Sequence, residues 1–336
     1  RRRRRRHLYL VLDDWEKGYS IYRVAEDDFH SAPGVDARPA ESPLVCIEAQ
    51  HPFSCCFAAH GTKIFAMQPP ESSPGVPVFD TETLGETVCH HPPSRGLVSI
   101  SNKPVYASAG GSLMALVYFN VDVLGGPGDQ PWSWSRVNEP APFASNRVSC
   151  YALHPDGHTV LMSVRAWRPT TAETHPYYHG GRDSTFAFDT EARQWTYIGE
   201  WLLPFHGRAY YDRELDALVG VCHYKEGPGA MPSWRIGVEV FFHADSDHHM
   251  GATLVYMGDS RFCLLECRAG EDNDDSDRRL RVVEMTSFVL KYYEAGGLRT
   301  THHRAFASMS YQAAHDRFQH APDPVAFWIF PVSLFA

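Results

Sequence analysis

The chain is predicted to be all-β, a single β-propeller of six four-stranded, kelch-like blades, with its N- and C-terminal strands closing one blade. Three observations predict this. A unit of apolar strand, short polar turn and apolar strand recurs along the sequence. The 25 glycines and 24 prolines are scattered, as many short strands need many turns. Long uninterrupted helical patterns are missing. With 336 residues, 43% of them hydrophobic and 13% aromatic, the chain can bury a large core.

The repeated unit reads FSCCFAAHGTKIFAMQP from Phe53, PVYASAGGSLMALVYF from Pro104 and VSCYALHPDGHTVLMSV from Val148. It returns as GRAYYDRELDALVGVC from Gly207 and GATLVYMGDSRFCLLEC from Gly251. From the turn centre Gly61 to the turn centre Gly258 is 197 residues over four intervals, roughly 49 per repeat, the spacing of kelch-type blades. Gly157 marks another turn centre. The second halves match as well. Val78-Phe79-Asp80-Thr81-Glu82 echoes Ala187-Phe188-Asp189-Thr190-Glu191. Trp134 leads on to Pro142-Phe143 much as Trp195 leads on to Pro204-Phe205. These offsets predict a third strand, a turn at Asp-Thr-Glu, a fourth strand carrying Trp and a Pro-bounded crossover, four strands to a blade.

At the ends, HLYLVL (His7–Leu12) reads as a second strand with no first strand before it. RAFASMSY (Arg304–Tyr311) reads as a first strand with no second strand after it. Pairing the two is expected to close a sixth blade and remove two exposed sheet edges. Residues 1–6 are expected to be a disordered Arg-rich tail, 7–312 the propeller and 313–336 a C-terminal tail. That tail ends in VAFWIFPVSLFA, 12 residues interrupted by Pro331. About 20 apolar residues are needed to span a bilayer, so no transmembrane segment is expected.

The net charge of −9 conceals an asymmetry: Arg1–Arg6 contribute +6, leaving −15 on the remaining residues. An acidic body is repelled by phosphate backbones, which argues against general nucleic-acid binding by the folded part. The hexa-arginine run itself has the composition of a nuclear signal or nucleic-acid tail, and equally of a plain low-complexity end. The eight cysteines form no C-x-x-C pair and most lie in strand-like apolar runs, where thiols act as small hydrophobes. No signal peptide is evident, so a reducing cytoplasmic or nuclear setting is expected.

The stretches YLVLDDWEKGYSIYRV (Tyr9–Val24), YDRELDALVG (Tyr211–Gly220) and VYMGDSRFCLLECR (Val255–Arg268) resemble a large plant family, expanded in grasses. Its members carry domain of unknown function 1618 and are kelch-like in layout. The resemblance runs from about Leu8 to about Tyr311. It implies a plant origin and a propeller-like fold, and it brings no catalytic residue with it.

Chemical motifs are sparse. His175 and His179 have H-x3-H spacing beside Asp183, but Pro176 and Gly180-Gly181 make the segment a loop, so local structure does not fix zinc-ligand geometry. Asp245, Asp247, His248 and His249 cluster between two predicted strands and read as a polar connection. The acidic stretch GEDNDDSD (Gly270–Asp277) lacks the glycine and glutamate of a calcium loop. Cys263 and Cys267 share one strand face, a pattern of core packing. No nucleophile elbow or P-loop is present. Neither a cofactor nor a metal is called for.

The long connections carry more information. In a four-stranded antiparallel blade the link from second to third strand always leaves on one face. The predicted links of this kind are 68–75, 120–131, 165–183, 224–233 and 268–279. In and beside them stand Trp132, Arg165, Trp167, Tyr177, Tyr178, Arg182 and Tyr224. Aromatic and arginine side chains on a rigid scaffold are the types that dominate protein–protein hot spots. The expectation is a monomeric, non-enzymatic interaction scaffold or substrate-recognition module that offers this loop face to an unidentified protein partner. The alternative is a propeller-type metal-dependent hydrolase with His and Asp ligands near the central channel. The two differ in that a hydrolase needs three or four ligands from different blades around one ion.

Overall fold

The computed structural model describes residues 6–25, 42–48, 57–68, 70, 73–94, 103–125, 132–166, 182–222, 248–270, 280–293, 297–314 and 324–329 of the protein. Its first strands are β1 (His7–Trp15), β2 (Gly18–Ala25), β3 (Val45–Glu48), β4 (Phe57–His60), β5 (Lys63–Ala66), β6 (Val76–Asp80) and β7 (Gly85–Cys89). Then come β8 (Val105–Ala109), β9 (Ser112–Val117), β10 (Asn120–Leu124), β11 (Trp134–Arg136), β12 (Val148–Leu153), β13 (Thr159–Val164), β14 (Ser184–Asp189) and β15 (Gln194–Gly199). The remainder are β16 (His206–Asp212), β17 (Ala217–Val221), β18 (His249–Gly258), β19 (Arg261–Ala269), β20 (Leu280–Tyr292), β21 (Leu298–Gln312) and β22 (Val325–Ile329). A 3-10 turn at Ser145–Arg147 is the only helical element among the described residues.

These strands form five sheets, so the protein is an all-β propeller of five blades among the described residues, not the six predicted. The difference has a specific origin. β16 lies parallel to β12, with Cys150 opposite Gly207 and Ala152 opposite Ala209. The hairpin β16–β17, expected to begin a blade of its own, thereby continues the sheet of β12–β15 as its fifth and sixth strands. The predicted strand–turn–strand units are all present as antiparallel hairpins: β4–β5, β8–β9, β12–β13, β16–β17 and β18–β19. Gly61, Gly157 and Gly258 sit at three of the turns with φ of +59°, +84° and +87°, a conformation in which a Cβ would be strained.

Closure also differs from expectation. Arg304–Tyr311 belongs to β21, which pairs with β20 as the last strand of its sheet. The partner of β1 is instead β22, with His7 opposite Ile329 and Val11 opposite Val325. The N- and C-terminal strands do share one sheet, but through the apolar run VAFWI, which lies in the segment expected to be a tail.

The chain divides into two compact units. The first (Arg1–Gln68, Pro77–Thr87 and Arg235–Ala336) holds the sheets β22-β1-β2-β3 and β18–β21 and most of β4–β7. β1 is buried on both faces, which explains its unbroken apolar sequence. Leu8, Leu10 and Leu12 pack with Cys263, Leu265, Cys267, Met285 and Trp328, while Tyr9 and Val11 pack with Tyr19, Ile21, Ile64 and Phe79. The second unit (Pro69–Val76 and Val88–Trp234) holds β8–β11 and the six-stranded sheet. Its core gathers Met114, Leu116, Val121, Phe143, Val160, Met162 and Phe188.

Candidate functional site

Of the residues singled out in the sequence, the structure places Trp132, Arg165 and Arg182; Trp167, Tyr177, Tyr178 and Tyr224 lie outside the described residues. Arg165 directly follows β13 and Arg182 precedes β14, so the two stand at the two roots of one connection. Trp132 is elsewhere. It precedes β11 and therefore belongs to the link between third and fourth strands of its sheet, not second and third as expected. In an antiparallel sheet these links leave at opposite ends. A hydrogen bond from Gly110 N to Gly157 O (2.8 Å) joins the β8–β9 and β12–β13 turns, which puts Trp132 at their end of the second unit. Arg165 and Arg182 occupy the other end.

There the backbone is tied down from several sides. Arg165 N donates to Arg147 O at 3.0 Å, and the Arg147 guanidinium donates back to Arg165 O at 2.5 Å. Ala166 N donates to Asp183 Oδ1 at 2.7 Å, a side-chain clasp across the root of the connection. Arg182 Nη1 meets Glu200 Oε2 at 2.5 Å, and this carboxylate raises the guanidinium pKa so that Arg182 stays cationic. Beneath the clasp, Ser163 Oγ and Thr185 Oγ1, both fully buried, lie 2.9 Å apart. Thr185 Oγ1 donates to Trp201 O at 2.6 Å and Leu203 N donates to Ser163 Oγ at 2.8 Å, which fastens the crossover to both strands. Buried hydroxyls satisfied in this way make a stiff base.

Two aromatics that sequence reasoning passed over stand on the same end. Tyr118 and Phe119 form the β9–β10 turn, with ring centroids 4.4 Å apart at 72°. Tyr118 N donates to Ser145 Oγ (3.0 Å) and Ser145 N donates to Tyr118 O (2.8 Å), which links this turn to the Ser145–Arg147 turn and so to Arg165. The sequence reading carries the strand through Tyr118 and Phe119 and places the link at 120–131, whereas the chain turns at these two residues and β10 occupies Asn120–Leu124.

The histidine and acidic clusters are placed as follows. His154 Nδ1 lies 2.9 Å from Asp156 Oδ2, and His158 Nε2 lies 3.6 Å from the same oxygen. His249 Nδ1 lies 2.9 Å from Glu266 Oε1, both side chains being largely buried. Among the described residues no group of three His, Cys, Asp or Glu is placed to hold a metal ion. His175, His179, Asp245 and Asp247, and the acidic stretch from Glu271 to Asp277, lie outside the described residues.

The class defined by this architecture is the β-propeller. Within it, the chain belongs to the DUF1668 family, described as proteins of unknown function, whose profile matches residues 5–308. This corrects the expected membership: the match is neither to domain of unknown function 1618 nor to a kelch family, and it brings no evidence of a plant source. No curated protein matches the sequence. Among solved structures the chain is similar to a protein of unknown function from Bacteroides thetaiotaomicron, with 11% identity, a TM-score of 0.40, and coverage of 82% of this chain and 63% of that one. The chain thus spans less than two-thirds of that protein's length. It is similar to apo AztD from Citrobacter koseri, with 12% identity, a TM-score of 0.39, and coverage of 93% and 84%. A third likeness is to the periplasmic gluconolactonase PpgL of Pseudomonas aeruginosa, with 15% identity, a TM-score of 0.34, and coverage of 90% and 83%.

Proposed function

We propose that the protein is a non-enzymatic interaction scaffold, and that a protein partner docks on the end of the six-stranded sheet from which β13 and β14 emerge. The observation that carries this reading is the clasped frame around the β13–β14 connection. Arg147–Arg165, Ala166–Asp183 and Arg182–Glu200 fix both roots of a segment whose sequence contains Trp167, Tyr177 and Tyr178. Fixed roots lower the entropy lost when a loop engages a partner, and exposed arginines beside aromatics are hot-spot chemistry. Tyr118 and Phe119 extend the surface; Trp132 is not part of it.

The protein is expected to act as a monomer in the cytoplasm or nucleus. The described cysteines are all free thiols, which fits a reducing setting. No helix among the described residues is long and apolar enough to cross a membrane. A pull-down from a lysate of the source organism should compare the intact chain with one whose residues 167–181 are replaced by a Gly-Ser segment of equal length. Proteins retained by the first and lost by the second support the reading; identical capture by both rejects it.

A further inference from the structure

At the parallel joint of the six-stranded sheet stands Arg208, a guanidinium that meets no carboxylate among the described residues. Tyr151 of β12 lies directly beside Arg208 of β16. Two residues on, and so on the same face of the strand, the Tyr210 ring lies under the guanidinium at 4.7 Å from its centroid. All three side chains are partly buried. Among the described residues Arg208 has no hydrogen bond and no carboxylate partner, and the Tyr151 hydroxyl has no hydrogen-bond partner either. Other arginines contrast with this. Arg281 meets Asp13 at 3.3 Å, Arg136 meets Asp122 at 3.4 Å, Arg268 meets Glu284 at 3.0 Å, and even the well-exposed Arg182 has Glu200.

A second, independent feature lies one residue upstream. The register of β16 against β17 shifts between His206 and Tyr210, and Gly207 there takes φ +69°. A bulge with a left-handed glycine re-aims the side chain that follows it, a device used beside binding sites. Burial disfavours the charge on Arg208, yet the balance for its guanidinium is upward and it remains a cation. Burial raises the Tyr151 pKa, so its hydroxyl keeps its proton. The face therefore offers a planar fork of N–H donors and an O–H donor.

We propose that Arg208, aimed by the Gly207 bulge, stacked on Tyr210 and aided by the Tyr151 hydroxyl, binds a small oxyanion, the carboxylate or phosphate group of a ligand. A guanidinium matches either group with two parallel hydrogen bonds. This site is distinct from the docking surface proposed above.

The test is calorimetric titration of the full chain with sodium acetate and with inorganic phosphate at matched ionic strength, chloride serving as the blank. Saturable binding is expected for at least one probe, weakened about ten- to hundredfold in Arg208→Gln and about fivefold in Tyr151→Phe. Arg208→Lys, which keeps the charge but loses the fork, should fall between. It also carries the test if Arg208→Gln does not fold. Binding of phosphate alone assigns a phosphorylated ligand and binding of acetate alone a carboxylate; either supports the site. Absence of saturable binding of both probes to the wild-type chain, or equal binding by wild type and Arg208→Lys, overturns it.

Discussion

Asp13 lies one residue past the apolar run His7–Leu12 and was invisible to sequence reasoning, because its partners are far away along the chain. Its carboxylate accepts from Arg281 Nη1 at 3.3 Å and from the Tyr311 hydroxyl at 3.0 Å, and both charged side chains are more than nine-tenths buried. Removing one member of such a pair strands the other charge, which costs about 3–5 kcal/mol, whereas replacing both with apolar groups costs far less. Asp13→Ala is therefore expected to lower the urea midpoint sharply, and Asp13→Leu combined with Arg281→Met to recover much of the loss. Asp156 gives a pH-dependent counterpart. Burial opposes its ionisation, but the N–H groups of Thr159 and His158, each donating at 2.9 Å, and the His154 ring hold its pKa well below the usual carboxylate range. A carboxyl depressed on folding stabilises above its unfolded pKa of about 3.9, and that contribution is lost as pH falls through the folded value. Stability should thus drop between pH 5 and pH 2.5 in urea titrations, and the drop should be shallower in Asp156→Asn, whose amide oxygen still accepts from the turn.

The hairpins were the most legible elements, since glycine turns flanked by apolar runs encode both the turn and the register. The Asp-Thr-Glu echo was legible too. Thr81 Oγ1 donates to Thr62 O and Thr190 Oγ1 to His158 O, each at 2.7 Å, so the same latch is built twice. In both, the preceding aspartate accepts from the backbone N–H two residues ahead, Asp80 from Glu82 and Asp189 from Glu191. Pairing between distant strands was not legible. Nothing local distinguishes β22 from a frayed apolar end, or tells β16 to lie against β12 rather than begin a new sheet, because both choices depend on edges supplied by remote residues. The closing strand can be tested directly. Trp328 is 9% exposed within the cluster that includes Leu8, Leu10 and Leu265. Trp328→Ala should cost about 3–5 kcal/mol in chemical denaturation, whereas a dispensable tail would tolerate the change with no measurable loss.

At the scale of the whole chain, the sequence conveyed the propeller class, the acidic body and the two roots of the β13–β14 connection. It did not convey the clasp, since Arg147, Asp183 and Glu200 look like ordinary surface charges until the strands bring them to Arg165, Ala166 and Arg182. Nor does it show that Trp132 leaves at the other end, because β10 lies within the stretch that reads as a link and carries the chain across the sheet before Trp132. Membership of the DUF1668 family covers residues 5–308, and therefore the clasp, but supplies no activity, so the functional claim rests on the frame itself. The most direct measurement is titration of the purified chain with the purified partner recovered by capture, alongside Arg165→Ala combined with Arg182→Ala. Both side chains are exposed, and an exposed pair such as Arg182–Glu200 contributes only about 0–1 kcal/mol, so the folded state should survive the change. At least a tenfold weaker Kd is expected for the double variant, with little change in thermal stability. Equal affinity in the two chains would contradict docking on this end of the sheet.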